Sequence, residues 1–459
     1  METNRDPDRL YWNLDVEPYL NTPQMRSLQL AKLKAMLKRI CANAPFHAKR
    51  LAEAGIRLGT IDESIRSLED FSRRVPVYDK KTYREHAAAC GGDLMRLIDE
   101  EMPGSLDDLV LINSTTGTTG EPTPYPLTHK DLYEVWGETI CRATWRAGLR
   151  RQDRALFCFA LSMVIAGTGT LIGLTRTGAT IIPVGAESGT DRIFQMARYF
   201  KPTAFFGTPS LASYLLEKAP EKLDAEVKSL GIRLLFCGGE PGAGVPEVKK
   251  RLEEGFGARL FDMGAGYGGS CGHPEYQGMH WLADDLCIYE LVDPETRQPI
   301  PLQDGARGEA VFTNIEGDGW VWLRTSLGDI HEVMTSPCPC GASGLRYKVV
   351  GRTDDMLKVK GVIVYPAAVT SLLESFSPRV TGQFRIVLTE KPPRIVPPLK
   401  IKIERGPHVP VESLAELEQE LLEAFHSRMK IRPQIIWEAP GALERSTYKG
   451  QKFEKLYDT

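Results

Sequence analysis

The chain has 459 residues, of which 42% are hydrophobic and 25% charged, and its formal net charge is −3. This length predicts two domains rather than one core, and a near-neutral charge without a long basic run excludes nucleic acid and anionic membranes as expected partners. The polar N-terminus is no signal peptide, no apolar run reaches the ~18 residues of a membrane span, and nine scattered cysteines argue against a disulfide framework. We therefore expect a cytoplasmic globular protein.

The first predicted elements are helices that lead into a strand. Apolar residues such as Leu37 and Ile40 recur at helical spacing through residues 24–54, and Pro45 predicts a stop. The apolar run Leu109-Val-Leu-Ile112 predicts a buried strand. The chain therefore reaches residue 113 at the end of a strand.

The stretch that follows, residues 113–123, alternates hydroxyl side chains with glycine. Gly117 and Gly120 allow a sharp turn that brings backbone N–H groups close to a ligand. Converging N–H and O–H donors suit the oxygens of a polyphosphate, although this is not a Walker loop. A flexible surface loop is the alternative interpretation. The hydroxyl-bearing residues are Ser114, Thr115, Thr116, Thr118 and Thr119.

Strands and helices then alternate. Thr128 is the predicted N-cap of a helix over 128–148, and apolar runs predict strands at 155–161, 204–207 and 233–238. This order predicts parallel βαβ units, which bind ligands at the carboxyl ends of their strands. We therefore expect the turns after these strands to face one cleft.

Glycine marks the places where this region turns or packs closely. Gly167, Gly169 and Gly173 predict a helix that packs tightly against another element. The turns Gly207-Thr-Pro209 and Gly238-Gly-Glu-Pro241 each end a predicted strand. Together with residues 113–123 they are expected to outline the cleft.

Two further strands are expected at Tyr289–Thr296 and Gly308–Thr313. Residues 353–459 then predict a small separate unit, in which the elements follow the order β-α-β-β-α-β. The predicted elements of this unit are strands Val362–Tyr365, Gln383–Leu388, Leu399–Glu404 and Gln434–Trp437 and helices 367–375 and 411–428. A small mobile lid is the natural interpretation.

Two motifs carry a resemblance to adenylate-forming enzymes. Thr115-Thr-Gly-Thr-Thr-Gly-Glu-Pro122 resembles their phosphate loop, with Glu121 where lysine is usual, and Gly351-Arg-Thr-Asp-Asp-Met-Leu-Lys-Val-Lys-Gly361 resembles their hinge. From about residue 25 to its C-terminus the chain is similar to the phenylacetate–CoA ligase branch. The resemblance implies an α/β fold. It comprises a large multi-layer N-terminal domain with mixed and parallel sheets, residues 1–351, and a small α+β C-terminal lid, residues 352–459.

The same resemblance implies the reaction. An ATP-dependent ligase of this branch activates an aryl or arylacetic acid as its acyl-adenylate and passes the acyl group to CoA. The expected partners are the aryl carboxylic acid, ATP and CoA, with Mg²⁺ as cofactor. Asp354 is the implied pivot about which the lid rotates between the two half-reactions.

Roles for individual residues also follow from the resemblance. Lys449, in Arg445-Ser-Thr-Tyr-Lys449, would reach the α-phosphate and the carboxylate, with Lys452 as the fallback and Arg324 as a weaker catalytic candidate. Asp329 would bind the ribose hydroxyls. The other residues implied for ATP or AMP are Ser114, Thr115, Thr116, Gly117, Thr118, Thr119, Gly120, Gly239, Glu240, Pro241, Gly264, Tyr267 and Arg352, and those implied for the acyl pocket are Phe159, Phe206, Thr208, Pro209 and Gly238.

One family motif is ambiguous in this chain. Enzymes of this family carry Tyr-Gly-x-Thr/Ser-Glu, in which the glutamate holds Mg²⁺, within the region of Leu260–His273. Aligning Tyr267-Gly268 with Tyr-Gly places Cys271 at the glutamate, and aligning Met263-Gly264 places Tyr267 there. Either register lacks the carboxylate, so ATP phosphates and water are expected to hold the Mg²⁺.

A zinc site is the last prediction. Cys338 and Cys340 lie in a tight Cys-Pro-Cys-Gly turn, and His273 and His280 lie upstream. Some ligases of this branch have a similar turn with a Cys…His pair and bind zinc, and His273 would replace that cysteine. Two thiolates and two imidazoles form a closed tetrahedral set, which favours a structural Zn²⁺. A proline-rich turn with reduced thiols is the alternative.

Two other function classes remain open. A biosynthetic adenylating enzyme would pass its acyl group to a carrier protein or an amine, as in natural product biosynthesis. A non-catalytic nucleotide- or zinc-binding relative would explain the missing glutamate. The sequence specifies neither the acid nor the acceptor, and it leaves a homodimer open.

Overall fold

The structure is a computed structural model that describes residues 6, 8–114, 122–264, 267–445 and 452–457. None of the described helices is both long and apolar enough to cross a membrane. The α-helices are α1 (Pro23–Asn43), α2 (Pro45–Glu53), α3 (Ile61–Ser64), α4 (Leu68–Arg74), α5 (Lys80–Ala89), α6 (Leu94–Glu101), α7 (Gly137–Arg146), α8 (Thr170–Leu174), α9 (Thr190–Phe200), α10 (Pro209–Leu223), α11 (Pro246–Phe256), α12 (Pro366–Glu374) and α13 (Leu414–Met429).

The strands form three larger sheets and one two-stranded sheet. They are β1 (Leu109–Ser114), β2 (Pro124–Thr128), β3 (Arg154–Phe157), β4 (Thr180–Pro183), β5 (Ala204–Gly207), β6 (Leu234–Gly238), β7 (Arg259–Gly264), β8 (Gly268–Ser270), β9 (Met279–Trp281), β10 (Cys287–Val292), β11 (Pro299–Ile300), β12 (Arg307–Asn314), β13 (Thr325–Met334), β14 (Arg346–Arg352), β15 (Leu357–Val359), β16 (Val362–Val364), β17 (Val380–Leu388), β18 (Arg394–Ile395), β19 (Lys400–Arg405), β20 (Gln434–Glu438) and β21 (Phe453–Lys455).

The largest sheet has 12 strands in the order β11-β10-β12-β13-β14-β9-β8-β7-β6-β5-β3-β4. Strands β4, β3, β5, β6 and β7 run parallel, as the alternation of strands and helices predicted. The remaining strands pair antiparallel from β7 outwards. The α/β fold with mixed and parallel sheets is therefore confirmed.

The parallel strands are buried on both faces because side chains alternate between the two sides of a strand. On one face Phe157, Phe206 and Phe236 stack in a row, with ring centroids 5.9 Å and 4.4 Å apart. On the opposite face Phe205 and Leu235 pack against α9, α10 and α11. Each buried side chain of this size contributes roughly 1.5–3 kcal/mol, so the parallel half forms a rigid platform.

The helices that cover the sheet follow the predicted pattern, with one difference. The predicted helix 128–148 includes the π-helical segment Asp131–Trp136 before α7, and Thr128 caps the helix by accepting a hydrogen bond from the Asp131 N–H at 3.3 Å. Helix α8 approaches α7 so closely that a Cβ on Gly173 would lie 2.8 Å from the Gly137 Cα. The glycine-rich helix thus packs tightly, as predicted.

Two predictions about strands were wrong in detail. The strand at Leu109–Ile112 exists as β1, but Val110 is 58% exposed because β1 pairs only with β2 in a two-stranded sheet. The strand predicted over 155–161 is shorter and ends at Phe157.

The C-terminal unit has its own core. Strands β17, β19, β20 and β21 form one sheet and β15, β16 and β18 another. Helices α12 and α13 bury Leu372, Leu421 and Phe425 against them. All six predicted elements of this unit are present, and β15, β18 and β21 are additional. The small α+β unit of the predicted fold is confirmed, whereas the boundary at residue 352 stays a prediction.

Candidate active site and metal cluster

The carboxyl ends of β5 and β6 bring two predicted turns together. The Ser210 N–H donates to the Glu240 carboxylate at 2.8 Å, and this bond ties the turn after β5 to the turn after β6. Gly239 has a φ of 83°, a conformation that favours glycine, and Thr208 lies 3.9 Å from the position of a Cβ there. The structure therefore brings together five of the predicted residues, Thr208, Pro209, Gly238, Gly239 and Glu240, with Pro241 following in the same turn.

Gly264 ends β7 beside these turns. Met263 pairs in register with Gly238, so Gly264 reaches the same edge of the sheet. A Cβ on Gly264 would lie 2.5 Å from the Tyr347 hydroxyl, which explains why a glycine stands there. The edge thus presents backbone rather than a side chain at this position.

The side chain of Tyr267 does not face this edge, and its predicted role at the nucleotide stays a prediction. Its side chain is 1% exposed and packs among Trp281, Trp320 and Trp322 in the core. Its hydroxyl donates to the Asn314 side-chain oxygen at 3.3 Å. Burial is also the main reason that the pKa of Tyr267 is raised. A strand followed by a tight turn predicted the position but not the direction of the side chain.

The structure describes the chain on both sides of the predicted phosphate loop. Residues Thr115–Gly120 lie outside the described residues. Before them, the Ser114 N–H donates to the Met163 carbonyl at 2.5 Å, and Ser114 is buried. After them, the Tyr83 hydroxyl donates to the Pro122 carbonyl at 2.9 Å. Hydrogen bonds from other elements therefore fix the chain on both sides of the loop.

Asp329 and Arg352 form the polar side of the site. They are register partners on β13 and β14, and their side chains form an ion pair at 2.6 Å. Arg352 also donates to Asp354 at 2.8 Å, and Lys80 pairs with Asp354 at 2.6 Å. Burial raises the pKa of Asp354, but the hydrogen bonds from Arg352 and Lys80 outweigh it and lower the pKa to about 2. The predicted ribose residue and the predicted pivot thus belong to one ionic network.

Arg324 lies elsewhere, which corrects its prediction as a catalytic residue. It is 2% exposed, has a φ of 51°, and pairs with Glu290 at 3.1 Å. Its guanidinium also donates to the Val75 carbonyl, which belongs to the N-terminal helical layer. Arg324 therefore joins that layer to the sheet. Its charge is deeply buried, and the pair with Glu290 supplies the ionic partner that such a charge needs.

The residues predicted for the acyl pocket divide into two groups. Thr208, Pro209 and Gly238 lie at the sheet edge, as described above. Phe159 follows β3 and packs edge-on against Phe157, with ring centroids 5.7 Å apart. Phe206 is 1% exposed within the aromatic stack, so its pocket role is corrected to a core role.

The C-terminal unit approaches the same edge. Lys449 lies outside the described residues, whereas Lys452 places its ammonium 4.7 Å from the centroid of the Phe384 ring. Burial lowers the pKa of Lys452, and the negative charge of Glu240 opposes that shift. Glu240 in the turn after β6 therefore lies close enough to Lys452 to act on its charge.

Four metal-binding side chains converge behind this region. Cys271, His280, Cys338 and Cys340 place one ligand atom each within 4.8 Å of one another. The Cys271 and Cys338 sulfurs are 3.7 Å apart, and Cys340 Sγ lies 3.5 Å from His280 Nε2. Tetrahedral zinc with its usual bond lengths would separate two sulfurs by about 3.8 Å, and a sulfur and a nitrogen by about 3.6 Å. We call this group the Cys/His cluster.

The cluster is prepared for a cation in two further ways. His280 Nδ1 lies 3.1 Å from the Ser343 carbonyl, which leaves Nε2 to face the sulfurs. The hydrogen bond from Cys271 is the main reason that the pKa of Cys340 is lowered, to about 3. The residues present therefore fit a Cys₃His zinc site.

His273 was the wrong fourth ligand. Its Nδ1 accepts a hydrogen bond from the Glu275 N–H at 3.1 Å, on the surface. Cys271, two residues earlier, takes its place directly after the short strand β8, with its sulfur beside that of Cys338. A cysteine in the expected Cys…His pair was the signal that would have identified it. Because Cys271 belongs to the cluster and Tyr267 to the core, neither register of the ambiguous motif supplies a group for Mg²⁺.

Comparison with known proteins gives consistent matches over most of the chain. Residues 23–313 match the family model described as "AMP-binding enzyme", and residues 361–456 match "AMP-binding enzyme C-terminal domain". The phenylacetate-coenzyme A ligase of Thermus thermophilus is 29% identical over 430 residues, which cover 91% of each chain.

Solved structures show the same relation. 2-Hydroxyisobutyryl-CoA ligase in its postadenylation state, in complex with 2-HIB-AMP, has a TM-score of 0.89 at 26% identity, covering 100% of this chain and 94% of that one. The same ligase in its thioesterification state, with 2-HIB-AMP and CoA, has a TM-score of 0.68 over 99% of this chain and 96% of that one. The structure of this chain is thus more similar to the first of these two structures than to the second.

Proposed function

Because the chain belongs to the AMP-binding enzyme family, we propose that it is an AMP-forming ligase that joins an aryl or arylacetic acid to CoA. The observation that carries this proposal is the hydrogen bond that ties the turn after β5 to the turn after β6 at one sheet edge, and the Asp329–Arg352 ion pair supports it. Relatives that act on phenylacetate support the choice of acid.

The chemistry requires two steps. A carboxylate oxygen of the acid attacks the α-phosphorus of ATP, the bond to the β-phosphate breaks, and pyrophosphate leaves. The CoA sulfur then attacks the acyl carbon, AMP leaves with the electron pair of the anhydride bond, and the thiol proton passes to solvent. Both steps depend on orientation and on stabilisation of phosphate charge.

Residues of this chain divide these tasks. The hydroxyl-rich loop after Ser114 binds the phosphates, and the turn Gly239–Pro241 and Gly264 accommodate the adenine. Asp329 accepts hydrogen bonds from the ribose hydroxyls, and Arg352 holds that carboxylate in place at 2.6 Å. Lys449 stabilises the charge at the α-phosphate during adenylation.

The lid is residues 352–459, and it turns about Asp354 between the two steps. Support comes from the separate core of this unit and from the higher TM-score with the postadenylation state of the related ligase. Lys80 pairs with Asp354 in the present conformation, so adenylation and thioester formation would differ in that contact.

Two metals complete the proposal. Mg²⁺ enters with ATP and is held by phosphates and water, since residues 260–273 offer no glutamate to it. Zn²⁺ occupies the Cys/His cluster as a structural ion that fixes the turn at Cys338 and Cys340 to β9. Metal analysis of purified protein tests this point: we expect zinc in the wild type and the loss of one equivalent in Cys338→Ser, and wild-type protein without zinc would refute it.

Acid-dependent exchange between ATP and pyrophosphate is the decisive experiment. A panel of aryl, arylacetic and aliphatic acids is compared, and exchange is expected to be strongest with an aryl or arylacetic acid. Lys449→Ala should abolish exchange, while Lys452→Ala serves as the matched lysine control and should retain it. Exchange that is independent of any acid would refute the proposal.

The acceptor is tested separately. With the best acid, CoA, a carrier protein and an amine are offered under equal conditions, and the acylated product is identified by mass. CoA is expected to be acylated fastest. Preferential acylation of a carrier protein or an amine would instead identify a biosynthetic adenylating enzyme.

A further inference from the structure

A second group of metal-binding side chains lies between α5 and α6, apart from the Cys/His cluster. His86 and Cys90 are one turn apart on α5 and therefore face the same side of the helix. Glu100 lies opposite them on α6. One ligand atom from each of the three lies within 4.8 Å of the others. His86 and Cys90 are only 6% and 5% exposed.

The spacing suits a small divalent ion. His86 Nε2 and a Glu100 carboxylate oxygen are 3.0 Å apart. A nitrogen and an oxygen bound to tetrahedral zinc are about 3.3 Å apart, given bonds of about 2.0–2.2 Å. We propose that His86, Cys90 and Glu100 form a second divalent-metal site. Zinc is the fitting ion because the set combines imidazole, thiolate and carboxylate, and water supplies the fourth ligand on the exposed side of Glu100.

The surroundings of His86 are those of a metal ligand. Its Nδ1 lies 2.8 Å from the Glu101 carboxylate, which also accepts from the Tyr78 hydroxyl at 2.5 Å. A carboxylate on the far ring nitrogen orients an imidazole and strengthens it as a ligand. Phe46 stacks on the ring at 3.6 Å with an angle of 9°, so the imidazole has a fixed plane.

Glu100 is also held in a way that leaves one oxygen for a metal. Its Oε1 accepts from the Arg96 guanidinium at 2.8 Å, and its Oε2 faces His86. Without a metal, the same contacts describe a protonated His86 between two carboxylates, with Cys90 as an inert buried thiol. The two descriptions differ in whether Cys90 takes part.

The position of the site suggests what the ion would do. Helix α5 carries Tyr83, which binds the carbonyl of Pro122 after the phosphate loop, and Lys80, which binds Asp354. A metal that joins α5 to α6 would hold both contacts in place. The site is thus a structural brace behind the loop, and it does not depend on which acid or acceptor the enzyme uses.

Metal stoichiometry of the full chain tests the proposal. Wild type, Cys90→Ser and Cys41→Ser are saturated with zinc, freed of excess ion and analysed for metal. Cys90→Ser should retain about one equivalent less than the wild type, because a hydroxyl is a poor ligand for zinc. Cys41→Ser removes a cysteine from α1, outside both groups, and should match the wild type. Equal zinc in the wild type and Cys90→Ser would overturn the proposal, as would an equal loss in Cys41→Ser.

A second variant keeps the test independent of Cys90. Glu101→Gln leaves all three ligands in place but weakens the orientation of His86, so zinc affinity measured against a competing chelator should fall about 10–100-fold. The thiolate–metal absorbance of Cd²⁺-loaded protein should still reach the wild-type value at saturation. An unchanged zinc affinity in Glu101→Gln would mean that His86 is not a metal ligand and only forms ion pairs with the two carboxylates. Cys338→Ser, which affects only the Cys/His cluster, should leave this affinity unchanged.

Discussion

The interior around the large sheet and its boundary with the C-terminal unit hold their charges in different ways. Arg142 is 1% exposed in its side chain and binds Asp285 through two hydrogen bonds of 2.7 Å and 3.0 Å. At the boundary, the side chains of Lys80 and Asp354 are 54% and 44% exposed. Buried pairs cannot be broken without leaving a charge out of water, whereas exposed pairs exchange readily with solvent. Interior changes should therefore alter stability, and boundary changes should alter the lid.

The largest expected effect is that of Arg142→Met. The substitution leaves Asp285 buried without its cation and Glu138 with Arg176 as its remaining cation, so the free energy of unfolding should fall by about 3–5 kcal/mol. Urea unfolding measures it. Arg379→Met is the matched control, because Arg379 binds Glu420 with similar geometry at the surface, and its cost should be at most about 1 kcal/mol. Equal costs would contradict the distinction between interior and boundary.

His331 should make the interior sensitive to acid. Burial lowers its pKa from 6.5 to about 3, so the unfolded chain binds a proton that the folded protein does not take up between these values. Stability should therefore fall as the pH drops from 6.5 towards 3, by roughly 1.4 kcal/mol per unit from this group. His331→Gln should remove that part of the slope in melting experiments from pH 6.5 to 4.5. An unaltered slope in His331→Gln would refute the expectation.

Gly173→Ala tests the close approach of α7 and α8. A Cβ there meets the Gly137 backbone at 2.8 Å, which cannot yield without moving a helix. We expect a loss of about 1–3 kcal/mol by chemical denaturation. Gly59→Ala is the control, since a Cβ at Gly59 meets no atom within 4 Å. A stable Gly173→Ala protein would mean that the helices separate easily.

Lys80→Met should have the smallest effect on stability and a selective effect on function. Loss of this exposed pair should change the free energy of unfolding by less than about 1 kcal/mol. Because the pair holds Asp354 in the present conformation, adenylation should slow relative to thioester formation, as measured by pyrophosphate exchange and by CoA thioester production. Lys81→Met, whose side chain pairs more distantly with Glu85 at 3.8 Å, is the control. Equal changes in both rates would exclude a role for Lys80 in the lid.

Local patterns in the sequence were enough to predict most elements and the turns at the sheet edge. The turn Gly238–Pro241 follows directly from an apolar strand and a glycine pair, and all six elements of the C-terminal unit follow from periodicity. The predictions that failed concern contacts between distant segments. Arg324 is fixed by Glu290 and Val75, and the place of Phe206 depends on strands on both sides.

The metal ligands show the same limit. Cys338 and Cys340 were found because they lie in one turn. Cys271 was missed because only the pairing of β8 with β9 brings it to that turn beside His280. Spacing along the chain therefore identifies ligands within a turn, but the fold decides which distant residue completes the set.

The order of strands in the large sheet has a consequence for synthesis on the ribosome. Strand β9 lies between β8, which precedes it closely, and β14, which emerges about sixty-five residues later. Until Arg346 has left the exit tunnel, one edge of β9 has no neighbour, and the parallel half cannot join the antiparallel half. The nascent chain must therefore carry an open strand edge while those sixty-five or so residues are made, and this seam is where premature pairing with other chains would begin.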